Sequence, residues 1–181
     1  MRILDTAIAD VKIVEPKIYG DSRGFFFESF NEASFCKSLG RDVKFVQDNH
    51  SRSEKGVLRG LHYQIRRVQA KLVRVVRGEI FDVAVDLRKR SQTFGMWTGV
   101  RLSDSNFRQL WIDEGFAHGF LVLSDFADVV YKTTEYYSPT DERAIIWCDK
   151  DLAIDWPIEG EPGLSERDRS GVTFREAEYF I

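Results

Sequence analysis

In Glu79–Arg88 the apolar side chains Phe81, Val83, Val85 and Leu87 alternate with Asp82, Ala84, Asp86 and Arg88. A period of two puts the two sets on opposite faces of a half-buried β-strand, and no amphipathic helix satisfies it. Lys71–Arg77 precedes this segment, and Gly78 between them predicts a tight hairpin. Val11–Tyr19 reads as a strand broken at Pro16. A turn at Asp21-Ser22-Arg23-Gly24 leads into a strand at Phe25–Phe30. Further strands are predicted at Phe94–Leu102, Phe107–Ile112, Gly119–Leu123, Ala127–Tyr136 and Ala144–Trp147. Asn31–Leu39 is the best helix candidate, with Asn31 able to cap it and Gly40 to end it. Many short strands separated by turns predict an antiparallel sandwich or barrel.

The chain has 181 residues, enough for one domain with a real core and no staples. We expect a single domain over residues 1–181, with a barrel core at about 43–148 and an irregular tail at 149–181. The tail carries Pro157, Gly160, Pro162 and Gly163, and a short turn is expected at Ser165–Asp168. A net charge of −3 argues against a nucleic-acid surface, so an anionic ligand must be held by local basic residues. Cys36 and Cys148 are far apart and fit no metal spacing, as expected of reduced thiols in a cytoplasmic protein. The N-terminal residues show no apolar run of signal-peptide type. No stretch approaches the ~18 apolar residues of a membrane span.

The chemistry concentrates in Gly56–Lys71, GVLRGLHYQIRRVQAK. His62 sits among apolar and basic residues, with Arg59 before it and Lys71 after it. On a strand Lys71 is out of phase with His62, so it must reach the same site from a following strand after a turn. A base, an ammonium and a guanidinium around one pocket suit proton abstraction next to a carbonyl on an anionic substrate. The base takes the proton, the ammonium stabilises the enolate oxygen, and the guanidinium holds phosphate. Asp168, if buried, can fix the tautomer of His62 through a carboxylate–imidazole contact. His118, between Gly115 and Gly119, is either a second polar group of the pocket or a hydrogen-bonded core histidine. Arg23 and Glu28 read either as parts of an ordinary aromatic-rich strand or as contacts to a diphosphate and a sugar. Tyr131 and Tyr137 read as exposed tyrosines near a barrel mouth, able to stack on a base or donate a proton, or as simple packing.

Gly56 to His62 and Gly115 to His118 fit parts of the two-part metal-binding pattern of cupin barrels. Gln64 stands where that pattern has a second histidine, Gln69 near its glutamate, and Asp113 at its proline. Two histidines and two amides make a poor first-row metal site, so the reading is a cupin-shaped barrel without a metal.

Taken in order, RGFFFESF, QDNHSRSEKGVLRGLHYQ, QAKLVRVVRGEIFDVAVDLR, TFGMW, GFAHGFLVLS, YKTTEYYSP, DWP and LSERD resemble the dTDP-4-dehydrorhamnose 3,5-epimerases of deoxysugar synthesis. The resemblance runs from about Arg23 to Asp168. It implies a mostly β, cupin-type jelly-roll barrel with a few short helices, a homodimer, and neither metal nor organic cofactor. It implies dTDP-4-dehydro-6-deoxy-D-glucose as substrate, inverted at C3 and C5 through an enolate. The alternative is inversion of C3 or C5 alone in a related dTDP-4-keto-deoxysugar; a non-catalytic sugar-nucleotide barrel would need no such set as His62, Lys71 and Tyr131. By resemblance His62 is the base, Asp168 its partner, Lys71 the stabiliser of the O4 enolate and Tyr131 the proton donor on the opposite face. Arg23 and Arg59 would hold the diphosphate. Glu28, the run Gln47, Asp48 and Asn49, His118, Glu142 and Arg167 would contact the nucleotide sugar, and Tyr137 would stack on thymine. The chain departs from the family at Ile65-Arg66-Arg67-Val68, often Pro-rich there, at Asp113 and at Cys148. Arg66 and Arg67 are expected to face solvent.

Overall fold

The computed structural model describes residues 1–181. The strands are β1 (Arg2–Asp5), β2 (Val11–Glu15), β3 (Tyr19–Asp21), β4 (Gly24–Phe26), β5 (Gln47–Glu54), β6 (Leu58–Gln64) and β7 (Lys71–Arg77). They continue as β8 (Glu79–Asp86), β9 (Trp97–Ser103), β10 (Gln109–Ile112), β11 (Phe116–Val122), β12 (Phe126–Thr133) and β13 (Glu142–Ala144). Two short helices, α1 (Glu32–Leu39) and α2 (Glu166–Arg169), and one 3₁₀ turn at Phe174–Glu176 complete the chain.

Eight strands pack as two antiparallel sheets, ordered β10-β7-β12-β5 and β6-β11-β8-β9. That alternation of successive strands between two sheets is a jelly roll, as expected. β2 and β1 extend the first sheet beyond β10, and β13 extends the second beyond β6. The hairpin expected at Gly78 does not form: β7 pairs with β10 and β12, while β8 pairs with β11 and β9. Gly78 instead turns the chain from one sheet to the other. It has φ +84°, and a Cβ there would meet the Phe126 carbonyl oxygen at 2.2 Å.

The strand β8 is also not half-buried. Ile80 and Ala84 face the barrel interior with Val73, Val75 and Val129, whereas Val83, Val85 and Leu87 pack outward against Leu152, Trp156 and Ala177 of the tail. The tail thus covers a second apolar layer, and both faces of β8 are dry. Asp82 and Asp86 are accordingly fully buried, at 0% exposure.

The helix α1 forms where the sequence placed it. The Asn31 side chain accepts from the Ser34 amide, and Gly40 ends it at φ 80°. Its Phe35 packs on Trp111 against the outer face of the first sheet. The strand expected at Phe25–Phe30 is limited to β4, which pairs only with β3 in an exposed two-stranded ribbon. With no further neighbour to pair with, the chain leaves extended structure after Phe26. No helix is long and apolar enough to cross a membrane. Cys36 and Cys148 are free thiols.

Candidate active site

One end of the barrel interior is polar and open. A cavity of about 920 Å³ there is lined by residues of five barrel strands, of β13 and of the tail segment that enters α2. His62 and Arg59 come from β6, Lys71 from β7, His118 from β11, Tyr131 from β12, and Gln47, Asn49 and Ser51 from β5.

Arg59 and His62 are three residues apart, so a regular strand would point them to opposite faces. A bulge corrects this. His62 lies opposite His118 while Arg59 lies opposite Phe120, which inserts one extra residue into β6. Gly60, inside the bulge, has φ +123°, and a Cβ there would sit 2.5 Å from Gly119 Cα. Only glycine permits this approach of β6 to β11, and the approach brings guanidinium and imidazole onto one wall.

His62 Nε2 lies 2.9 Å from Asp168 Oδ1. The ring N–H does not aim straight at that oxygen. Asp168 enters α2, where Ser165 caps the helix, and its side chain is 3% exposed. Its carboxylate accepts from the Gly60 amide at 3.0 Å and from both the amide and the hydroxyl of Ser165. Burial on its own would raise the Asp168 carboxyl. The contacts from His62, Ser165 and Gly60 outweigh it and hold the group well below the usual carboxylate range. Asp168 therefore stays anionic through any proton transfer to His62, and acts by charge and orientation rather than by taking the proton.

Lys71 faces His62 across the barrel from the other sheet, and its Nζ donates to the His62 carbonyl at 3.5 Å. Burial pushes this ammonium down to about 8, against partial compensation from the charges of Asp82 and Glu142. Burial also raises the Tyr131 phenol, with Arg59 opposing and Glu142 and Tyr137 reinforcing the shift. A phenol that keeps its proton is suited to give one up to a carbanion. At the mouth, Arg167 pairs with Glu142 at 2.7 Å, and the Tyr137 hydroxyl donates to the same carboxylate at 2.8 Å. Arg59 Nε donates to Ser53 Oγ at 2.9 Å and one Nη donates to the Arg52 carbonyl at 3.4 Å, which fixes the guanidinium at the cavity wall.

Residues 5–176 match the dTDP-4-dehydrorhamnose 3,5-epimerase family. The chain belongs to this family. It is 58% identical over 180 residues to the dTDP-4-dehydrorhamnose 3,5-epimerase of Pseudomonas aeruginosa, covering 99% of each chain. A dTDP-6-deoxy-D-glucose-3,5-epimerase from Legionella pneumophila, solved in complex with dTDP-4-keto-L-rhamnose, superposes with a TM-score of 0.95 at 54% identity, over 98% of this chain and 94% of that one. A 3'-monoepimerase from Streptomyces bikiniensis, solved with dTDP-quinovose, gives a TM-score of 0.87 at 38% identity, over 96% and 87% of the two chains. The cupin-type jelly roll is thus the epimerase family's fold.

Set against the residues expected of an epimerase of this family, the cavity gathers His62, Lys71, Tyr131, Asp168, Gln47, Asn49, Arg59, His118, Tyr137, Glu142 and Arg167. Three expected residues are elsewhere. Asp48 alternates with Gln47 and Asn49 on β5, so it points out of the barrel, pairs with Lys132 at 2.9 Å and lines a separate 300 Å³ recess. Arg23 sits on the exposed β3–β4 ribbon, 88% exposed and paired with Asp21. Glu28 is exposed beyond that ribbon and accepts from Asn31. Neither Arg23 nor Glu28 lines this chain's own cavity. Tyr131 is also not an exposed mouth residue but a half-buried one on the inner face of β12.

The amides at the cupin metal positions are committed to the backbone. Gln64 donates to the Arg67 and Tyr136 carbonyls and accepts from the Ser138 amide, and Gln69 donates to the Glu135 carbonyl. They tie the loop after β12 to the cavity wall. Of the departures from the family pattern, Arg66, Arg67 and Cys148 are exposed. Asp113 accepts from Arg41 at 2.5 Å. Sequence reasoning missed Ser165, which braces Asp168, and Asp82, whose carboxylate bonds to His118. The row Ile80-Asp82-Ala84 held the signal for Asp82, since a lone carboxylate in an inward apolar row needs a buried partner.

Proposed function

We propose that this chain inverts C3 and C5 of dTDP-4-dehydro-6-deoxy-D-glucose, giving dTDP-4-dehydro-L-rhamnose, with His62 as the base for both carbons. The reading is supported above all by one arrangement: an imidazole backed by a permanent carboxylate, a buried ammonium and a half-buried phenol around a single cavity. Both hydrogens to be removed are α to the C4 ketone, so one enolate chemistry serves both. His62 removes the proton, and the resulting imidazolium faces the Asp168 carboxylate. Negative charge moves onto O4, where Lys71 supplies an ammonium in a site shielded from water. Tyr131 returns a proton from the opposite face, which is what inversion requires; after each inversion the imidazolium of His62 releases its proton to solvent and the Tyr131 phenolate takes one back, so both groups are reset for the second carbon. Arg59 takes the diphosphate, Gln47, Asn49, His118, Glu142 and Arg167 contact the nucleotide sugar, and Tyr137 at the mouth stacks on thymine. In this reading the reaction needs neither a metal nor an organic cofactor.

Proton NMR in D2O with dTDP-4-dehydro-6-deoxyglucose tests the assignment. Deuterium is expected at both C3 and C5 with inversion at each; label at one carbon alone would establish the single-carbon reading instead. Tyr131→Phe is expected to keep exchange catalysed by His62 while inversion falls by about 10²-fold or more. Unchanged inversion would remove Tyr131 from the donor role.

The protein acts as a homodimer in this proposal, and the cytoplasm is its compartment. Phe25 and Phe26 are 63% and 68% exposed on a ribbon that also carries the exposed Arg23–Asp21 pair. Such a ribbon suits insertion into a second copy, and Arg23 and Glu28 then serve the partner's cavity. Sedimentation should give twice the 21.0 kDa chain mass. Mixing inactive Arg23→Ala and His62→Ala proteins should restore activity, since one cavity of the mixed dimer then has both residues. Failure to regain activity on subunit exchange would place Arg23 in its own chain's site.

A further inference from the structure

The buried carboxylate of Asp82 is half used. Its Oδ1 lies 2.6 Å from His118 Nε2, while its Oδ2 has no hydrogen-bond partner and the residue is 0% exposed. Lys71 is in a matching condition. It is 8% exposed, and its ammonium makes a long 3.5 Å bond to a carbonyl. Both side chains project into the same barrel interior, Asp82 from β8 and Lys71 from the opposite sheet. A buried anion with a spare oxygen and a buried cation with spare donors stabilise each other through a medium of low dielectric.

We infer that Asp82 is a positioning residue of the proposed epimerase site: it fixes the His118 ring with one oxygen and, with the other, supplies the counter-charge that keeps the Lys71 ammonium at the cavity floor. This rests on the assignment of Lys71 to the enolate oxygen. The charged and titratable groups surrounding Lys71 are Asp82 on β8, Glu142 on β13, His62 and Arg59 on β6, His118 on β11 and Tyr131 on β12. Among them Asp82 and Glu142 are the carboxylates that favour its charged form, Asp82 the more strongly. Glu142 is already paired with Arg167 and Tyr137 at the mouth. The His118 ring is itself held towards its neutral form by burial, with Asp82 opposing and Lys71 and His62 reinforcing. Asp82 therefore stands between two groups and orders both.

Asp82→Asn keeps the shape and an acceptor for His118 and deletes the charge. The alkaline limb of kcat/KM, set by Lys71 near pH 8, should move down by about one pH unit, a tenfold loss of activity on that limb. On the acid side of the limb, activity should stay within a few-fold. A purely structural Asp82 would instead lower activity uniformly with the limb unmoved, and that result overturns the proposal. The ¹⁵N signal of Lys71 Nζ should report the same downward displacement without substrate. In unaltered protein the Asp82 ¹³Cγ signal should step at the pH where Lys71 titrates, and its absence would also overturn the proposal. Lys71→Met separates the two claims. Loss of turnover with that limb gone supports the role of Lys71, whereas full turnover would sink it while the NMR titration still decides Asp82.

Discussion

Replacing His62 by alanine should abolish deuterium uptake at C3 and at C5 together, with turnover falling by about 10²–10⁴-fold. The two carbons flank one ketone, and the cavity offers one imidazole to both. Arg59 is a permanent cation, Lys71 faces the enolate oxygen in the proposed reaction, and His118 points its Nε2 at Asp82 rather than at open space. The variant should fold. His62 is 27% exposed, and Asp168 keeps its bonds from Gly60 and Ser165 when the ring is gone. A thermal melt within a few degrees of the parent would confirm that. Exchange persisting at one carbon would give that carbon to another base, and exchange persisting at both would remove His62 from the mechanism. Asp168→Asn is the graded counterpart, since it leaves the ring in place and takes away the charge facing the imidazolium.

The fold was legible wherever side-chain period reports burial and illegible wherever the barrel departs from that rule. The alternation in Glu79–Arg88 revealed a strand, and Asn31 with Gly40 revealed a helix, because both signals are local. The sheet to which a strand belongs is not local. Gly78 marks a turn equally well in a hairpin and in the crossing between layers of a jelly roll. β5, QDNHSRSE, has no apolar period because its inward residues face the cavity rather than the core. Side-chain period is therefore silent on β5 although the strand contributes Gln47, Asn49 and Ser51 to the cavity. The same alternation, applied to β5, sends Asp48 outward. Arg59 and His62 share a wall only through the bulge at Gly60. An isolated glycine within a strand is the sequence mark of such a bulge, but not of its direction. The tail looked irregular because it forms little regular structure, yet it supplies Asp168 and a second apolar layer.

Lys71→Met should separate the chemistry from the fold. Turnover should fall by about 10²–10³-fold, the usual loss when one preorganised stabiliser of a developing oxyanion is removed. Binding of the dTDP product should change little, because Arg59 and the mouth residues hold the nucleotide. Stability should respond in the opposite sense and with a signature in pH. The ammonium is near 10.5 in the unfolded chain and about 8 in the folded protein. Between these values the unfolded chain holds a proton that the folded protein has released, so the contribution of Lys71 to stability rises with pH. Below about pH 8 both states are protonated and the buried charge costs on the order of 3 kcal/mol, net of the partial compensation by Asp82 and Glu142. The parent should therefore gain stability relative to Lys71→Met as pH is raised from 7.5 towards 10.5, a difference readable by urea unfolding at several pH values. Parallel curves would mean that Lys71 is not desolvated, and an ammonium in water has little to give an enolate. The destabilising burial and the catalytic usefulness of this side chain are one physical property.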